Sequence, residues 1–298
     1  MILVTGATGN FGGSVAQYLH QKKIPFRAAS RNLEMLKNRF GSEAESVTFD
    51  WDKPETFAAV LRGITTVYLI PPAVVTNDFH IKADPFIEAA KKAGVKHIVL
   101  MTALYSNNPD SIFYGTEALV KNSGIDFTII RPSFVFQNFL NQFLQSVWDG
   151  AIVLPSENGK TSYVDIRNVG EASAVVLENP SAHKGRTYTI TGGEALTHAQ
   201  MADIFSQQLA KQVVYISPSV EEYKEKLADL HVPDPLSEFL AVLYSTIAKG
   251  QWEEVSNDFT LLTGKKAGTF TDFVKENRST FAPAKPAKQR TANEKSTY

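Results

Sequence analysis

Residues 1–13 read Met1-Ile2-Leu3-Val4-Thr5-Gly6-Ala7-Thr8-Gly9-Asn10-Phe11-Gly12-Gly13. The short apolar run up to Val4 has the length and composition of a buried parallel strand, and it stops at Gly6. Gly6, Gly9 and Gly12 follow at three-residue spacing, and Val15 and Leu19 then fall four apart on one helical face. Strand, glycine turn and helix, in that order, are the context in which such a motif predicts dinucleotide binding. Gly6 lets the chain turn sharply off the strand. Gly9 lets a pyrophosphate approach backbone N–H groups, and Gly12 lets the new helix pack closely on the sheet. The helix N-terminus adds unpaired N–H donors and a partial positive charge.

The second strand, expected over 25–30, is followed by Arg31. An NAD site commonly carries Asp or Glu here for the ribose 2′-hydroxyl. This chain has Ser30 and Arg31 instead. A guanidinium forms paired, charge-assisted hydrogen bonds to a 2′-phosphate, which an acid would repel, so NADP(H) is the expected cofactor. Arg31 also reads as a solvated loop charge, or as an adenine stack that makes no choice.

Composition narrows the rest. The chain has 298 residues and 43% apolar content, enough for a large core. Its 30 basic and 31 acidic residues leave a net charge of −1, which offers no basic excess for nucleic acid or an anionic membrane. With no cysteine, disulfides and thiolate chemistry are excluded, and a cytoplasmic setting is expected. No apolar run approaches the roughly 18–20 residues of a membrane span. The chain opens directly on its first strand, so no signal peptide is expected ahead of the fold. The six histidines show no metal-binding spacing, no HExxH occurs, and no metal is expected. There is no GxSxG elbow either.

Taken in order, the pattern predicts helices over 32–40, 54–61, a segment ending near 93, and 112–123, with strands over 46–49, 66–70, 96–102 and 126–131. Alternation of this kind predicts a doubly wound parallel sheet of the Rossmann type. Asp50 and Trp51 close the third strand on its ligand side, with Asp50 placed for the adenine amino group and Trp51 for the ring. Asp52 reads as the cap of the helix that starts at Pro54. Pro85 either kinks its helix or restarts it with Asp84 as cap. Beyond about 135 the alternation weakens. Phe136, Phe139, Leu140, Phe143, Leu144 and Val147 suggest one apolar helix face, mostly for the core and in part for a shallow substrate cleft. Strands are expected over 162–167 and 186–191, a helix over 197–210 capped by Thr197, and helical structure over 221–249 broken by Pro233 and Pro235. One NAD(P)-binding unit over 1–281 follows, with its core mainly in 1–150 and a small α/β cleft region over about 151–281. Residues 282–298, rich in Ala, Pro, Lys and Thr, read as a flexible tail.

Residues 6–12, Ser30-Arg31-Asn32, Phe49-Asp50, the stretch 89–99, and Ile130-Arg131-Pro132 through Asn138 resemble the NmrA-like family of atypical short-chain dehydrogenase/reductases. The stretches 163–167 and 189–197 are similar too, so the resemblance spans about 1–275. It implies NADPH-dependent reductases of quinones and triarylmethane dyes, or cofactor-binding regulators with little catalysis. By the same resemblance Thr8, Gly9, Asn10 and Phe11 hold the pyrophosphate, Arg31 the 2′-phosphate, and Asp50 and Trp51 the adenine. Ile70, Pro71, Pro72, Thr102, Phe134, Val135, Phe136 and Asn138 then surround the nicotinamide ribose and ring. Relatives often carry His or Lys four residues before the glutamate matching Glu117; here Phe113 stands there, with Tyr114 beside it as the candidate replacement.

The usual Tyr-x-x-x-Lys pair lowers the tyrosine pKa so that it can protonate a carbonyl. Tyr114 is followed at that spacing by Ala118, and Tyr105 by Pro109. Hydride transfer to a quinone leaves a weakly basic, delocalised phenolate, and a triarylmethane cation is simply neutralised. Such acceptors need close, face-on placement more than an acid. Tyr114 and Thr102 are the candidate hydroxyls for a developing oxyanion. Two functions follow: an NADPH-dependent reductase of small aromatic or quinone-like acceptors, or a redox-responsive NADP(H) binder acting through protein partners. A homodimer is open under either.

Overall fold

The structure, a computed structural model, describes residues 1–41, 44–71 and 79–282. In chain order it forms β1 (Ile2–Val4), α1 (Asn10–Gln21), β2 (Phe26–Ser30), α2 (Leu33–Phe40), β3 (Glu45–Thr48), α3 (Phe57–Leu61), β4 (Thr66–Leu69), α4 (Phe79–Lys92), β5 (His97–Met101), α5 (Tyr114–Asn122) and β6 (Asp126–Pro132). Then come α6 (Leu144–Trp148), β7 (Ala151–Val153), β8 (Lys160–Thr161), α7 (Ile166–Glu178), β9 (Thr187–Ile190), β10 (Leu196–Thr197), α8 (His198–Leu209), β11 (Val214–Ile216), α9 (Val220–Asp229) and α10 (Asp234–Ala248). Three short helices, α11 (Asp258–Thr263), α12 (Phe270–Glu276) and α13 (Arg278–Phe281), complete the described chain.

The main sheet has seven strands in the order β3-β2-β1-β4-β5-β6-β9. Every pairing in it is parallel. The chain winds outward from β1 to β3, then crosses back to β4 on the other side of β1. The crevice at that switch, outside the strand C-termini, is where such sheets bind ligands. The pleat sorts the core into two layers. Ile2 and Val4 pack with Val15 and Leu19 of α1 and Val169 of α7. Leu3 faces the opposite layer, with Phe57, Val60 and Phe86 from α3 and α4.

Several expectations change in the C-terminal half. Residues 162–167 are not a strand. β8 stops at Thr161, Val164 makes a single bridge to Val135, and Asp165 caps α7 by accepting the Arg167 amide. Val-Asp-Ile alternation imitates a strand there, but the capping carboxylate starts a helix. The face expected over 136–147 divides into a 3₁₀ turn (Phe136–Leu140) and α6. The break falls at Asn141, whose φ of −121° and ψ of −84° lie outside the helical region. Asp52 does not cap the next helix: its carboxylate bonds Lys82 of α4 at 2.7 Å, and Lys53 occupies the cap position. Pro85 lies inside α4 without ending it.

A second core, built on phenylalanine, joins the 3₁₀ turn to α8, α12 and α13. Phe139 lies 5.5 Å from Phe205 and 5.2 Å from Phe270 between ring centroids. One polar cluster sits within it. The fully buried His198 places Nδ1 2.7 Å from Ser156 Oγ and Nε2 3.1 Å from the Tyr163 hydroxyl.

Burial pulls the His198 imidazole down to about 4 from an ordinary 6.5, so the folded chain holds it neutral. Because the folded value lies below the unfolded one, this contribution is present above about pH 6.5. It is lost as pH falls towards 4, by on the order of 3 kcal/mol. Unfolding free energies measured from pH 7 to 4 are expected to fall less steeply in His198→Gln than in the unsubstituted chain. Parallel slopes would show that His198 does not titrate between the two states.

Candidate functional site

The site begins where β1 ends. Thr5 ties β1 to β4: its hydroxyl donates to the Tyr68 carbonyl at 3.1 Å and accepts the Ile70 amide at 2.8 Å. The next residue, Gly6, has φ of +61°, a left-handed turn that a side chain would strain. A Cβ on Gly12 would sit 2.4 Å from the Gly6 carbonyl oxygen, a distance only glycine avoids. The first intrahelical bond of α1 runs from the Gly13 amide to the Gly9 carbonyl at 2.9 Å. The amides of Asn10, Phe11 and Gly12 precede it and are left as the free donors of the helix start. This backbone cradle, with no side chain in the way, fits a pyrophosphate.

The cradle opens into a cavity of about 1140 Å³. At one end, Thr8 and Ser30 share a hydroxyl hydrogen bond of 2.8 Å, and Ser30 Oγ also accepts the Asn32 amide. Arg31, directly after β2, is exposed at the rim of the same end. Asp50 and Trp51 line the same end. Trp51 is fixed by edge contacts to Phe49 at 4.8 Å and Phe79 at 4.9 Å. The Lys82 ammonium, by its hydrogen bond and its charge, holds the Asp52 carboxyl below the usual carboxylate range, with Arg31 adding a smaller effect. Lys82 thus offsets an acid that would otherwise face an incoming phosphate.

Below the middle of the cavity lies a buried ion cluster. Glu117 accepts from Arg131 Nε at 2.8 Å and Arg131 Nη2 at 2.5 Å, from Lys121 at 3.0 Å, and from the Thr102 hydroxyl at 3.0 Å. Burial alone would raise the Glu117 carboxyl; the hydrogen bonds from Arg131 and Lys121 outweigh it and hold the group below its ordinary value. The far end is mostly apolar, with Lys249 and Gln251 also in its lining. Phe134 lies 4.2 Å from Trp252, and Tyr105 lies 6.4 Å from it, between ring centroids. Leu236, Phe239, Val242 and Leu243 of α10 face them across the cavity.

Gly6, Thr8, Gly9, Asn10, Phe11, Gly12, Arg31, Asp50, Trp51, Ile70, Pro71, Thr102, Phe134, Val135 and Asn138 all line this one cavity. Pro72 lies outside the described residues. Phe136 does not line it: the side chain turns into the second core, 5.2 Å from Phe273. Tyr114 does not line it either. As the first residue of α5 it points to solvent, 44% exposed, while Phe113 takes the wall position. Thr102 is in place, but its proton is given to Glu117. The Tyr-x-x-x-Lys spacing does occur at Tyr18 and Lys22, at the end of α1. Neither lines the cavity, and Lys22 is paired with Glu178. Burial, then the Glu171 charge, raise the Tyr18 pKa, opposite to what proton delivery needs. Sequence reasoning missed Tyr105, Trp252 and the α10 face. Only the amphipathic pattern of α10 carried a signal.

Breaking the ion cluster should be costly, because a buried charge loses its partner. Glu117→Gln is expected to destabilise the chain by about 3 kcal/mol in denaturant unfolding. The carboxylate contribution is present above its ordinary 4.5 and lost as pH falls through its lower folded value, so the difference between the two chains should shrink on acidification. A cost under about 0.5 kcal/mol, the scale of a surface pair, would show that Arg131 and Lys121 are satisfied without Glu117.

The model of the NmrA-like family matches residues 1–263. Over 290 residues the chain is 29% identical to an NAD(P)H azoreductase of Xenophilus azovorans, covering 95% of this chain and 100% of that one. The triphenylmethane reductase of a Citrobacter species, solved with NADP(H), aligns with a TM-score of 0.83 at 28% identity, over 92% of this chain and 99% of that one. The NADPH-dependent quinone oxidoreductase of Escherichia coli, solved with NADPH, aligns with a TM-score of 0.85 at 26% identity, over 93% and 99%. With its parallel sheet, glycine cradle and family match over most of its length, the chain belongs to the NmrA-like family.

Proposed function

We propose that this chain is an NADPH-dependent oxidoreductase that passes hydride to a flat, delocalised acceptor of the quinone or dye type. The observation that carries the reading is one continuous cavity, polar at the glycine cradle and largely apolar, with aromatic faces, at Trp252 and α10. A dinucleotide stretched from Arg31 towards Thr102 would leave the apolar end for the second substrate. Bound there, NADPH supplies a hydride. The chain's own residues do the rest. The α1 amides hold the pyrophosphate, and Arg31 with Lys82 nearby favours a 2′-phosphate. Phe134, Trp252 and α10 offer apolar faces against which a planar ring can lie, excluding water from the transfer. Residues from 151 onward thereby supply the acceptor-side wall for a cofactor-binding part built mainly from 1–150.

The names of its relatives support the same class. They include an azoreductase, a triphenylmethane reductase and a quinone oxidoreductase. Neither Tyr114 nor Tyr105 has a lysine four positions on, which suits acceptors that need little acid catalysis better than simple ketones.

NADPH oxidation should require an acceptor, and should be faster with quinones and triarylmethane dyes than with aliphatic ketones. Tight NADPH binding without turnover on any acceptor would overturn the reductase reading in favour of a cofactor-sensing protein. In Arg31→Asp, NADPH binding is expected to weaken by about 10- to 100-fold, the scale of a lost charge-assisted contact, with NADH little changed. Equal losses for both cofactors would show that Arg31 makes no choice between them.

A further inference from the structure

A quinone that has received a hydride carries a new oxyanion, whereas a triarylmethane cation given the same hydride becomes neutral. Only the first gains from a hydrogen-bond donor beside it. Two hydroxyls of the cavity have their protons committed. Thr102 donates to Glu117 at 3.0 Å, and Thr246 donates to the Leu243 carbonyl at 2.5 Å. Tyr105 differs. Its side chain lines the cavity beside Trp252, and among the described residues its phenol hydroxyl has no hydrogen-bond partner.

Its backbone is also unusual. Tyr105 has φ of +64°, in the left-handed region that bulky residues avoid. The surrounding turn holds it there. Ser106 Oγ accepts the Ala103 amide at 3.0 Å and donates to the Ala103 carbonyl at 2.6 Å. The Asn108 amide reaches the Tyr105 carbonyl at 2.9 Å. A strained tyrosine just beyond β5, lining the cavity beside Trp252 with a hydroxyl unpartnered among the described residues, is the pattern expected of a functional group rather than a packing one.

Resting on the reductase reading above, we propose that the Tyr105 hydroxyl is the donor to the oxygen of a bound quinone-type acceptor. The balance is simple. The acceptor gains two electrons with the hydride, the Tyr105 O–H bond breaks as its proton moves to the acceptor oxygen, and the tyrosinate recovers a proton from water. The net consumption is NADPH, a proton and the quinone.

The test is Tyr105→Phe, which keeps the ring and removes only the hydroxyl. Turnover is compared with menadione, which takes a proton, and with a triarylmethane dye cation, which takes none. The ratio of menadione to dye turnover is expected to fall about 10- to 100-fold. A ratio that does not move would overturn the proposal. A second readout needs no turnover. Para-nitrophenol is titrated against the NADP⁺-loaded protein and followed by its phenolate absorbance. Tyr105 should favour the bound phenolate, and Tyr105→Phe should remove that preference. If the unsubstituted chain reduces neither acceptor, the reductase reading fails, and the nitrophenol titration still decides Tyr105: a phenolate preference kept by the Phe variant overturns its role.

Discussion

The fold depends on how closely α1 lies against the end of β1. A Cβ at Gly12 would come within 2.7 Å of the Thr5 carbonyl oxygen as well as the Gly6 carbonyl carbon. No rotamer relieves a clash with backbone, so any side chain would lift α1 off the sheet. The helix amides would then no longer point into the cavity. The other flank of α1 is held as tightly. A Cβ at Gly170 of α7 would lie 2.2 Å from Ser14 Oγ, and Ser14 donates to the Ile166 carbonyl at 3.0 Å. Two glycines on different helices thus set one helix position.

From α7 the constraint passes to the aromatic side of the cavity. Asp165 caps α7 and accepts from Gln137 Nε2 at 2.9 Å, while Gln137 Oε1 accepts the Ile166 amide at 2.9 Å. Next to this exchange, the Val164 amide reaches the Phe134 carbonyl at 2.8 Å and the Phe136 amide reaches the Val164 carbonyl at 2.9 Å. Phe134 and Val135 therefore sit on a backbone clamp that begins, through α7, at the glycine turn. The chain places its phosphate-binding amides and its aromatic wall by one continuous set of short contacts. Distortion at either end has a direct route to the other.

The glycine turn, the alternation up to Arg131 and the NmrA-like resemblance were legible because each rests on local rules: strand length, helix period and residues that tolerate a turn. The seven-stranded parallel sheet follows from them. What sequence hid was set by tertiary contacts. Helix α7 was masked because its N-terminus reads as alternating Val164-Asp165-Ile166, and only the bond from the Arg167 amide shows Asp165 to be a cap, with Gln137 holding the carboxylate in place. Phe136 and Phe134 are two residues apart, so on an extended chain they would share a face. The 3₁₀ turn starting at Phe136 sends one to the core and the other to the cavity. Tyr105 carries no local signal, because a left-handed tyrosine is held by a turn that runs against its own preference.

The arrangement of charge bears on the chemistry. Arg131 and Lys121 both turn onto Glu117, so the buried carboxylate is paired with two cations, and none of the three lines the cavity. Leu236, Phe239, Val242 and Leu243 of α10 and the Phe134–Trp252 wall are uncharged, and Lys249, directly after α10, also lines the cavity. A site of low polarity strengthens any electrostatic contact made within it, so one hydroxyl there counts for more than several in water. It also disfavours a localised alkoxide with no nearby cation, and tolerates an anion spread over an aromatic ring. The proposed preference for acceptors that spread or cancel charge on receiving a hydride rests on this apolar stretch of the cavity and on Glu117 being paired away from it. Charged side chains line the cavity at Arg31, Asp50, Asp52 and Lys82 and again at Asp110 and Lys249, so the apolar stretch between Phe134, Trp252 and α10 is where a planar ring would meet least charge.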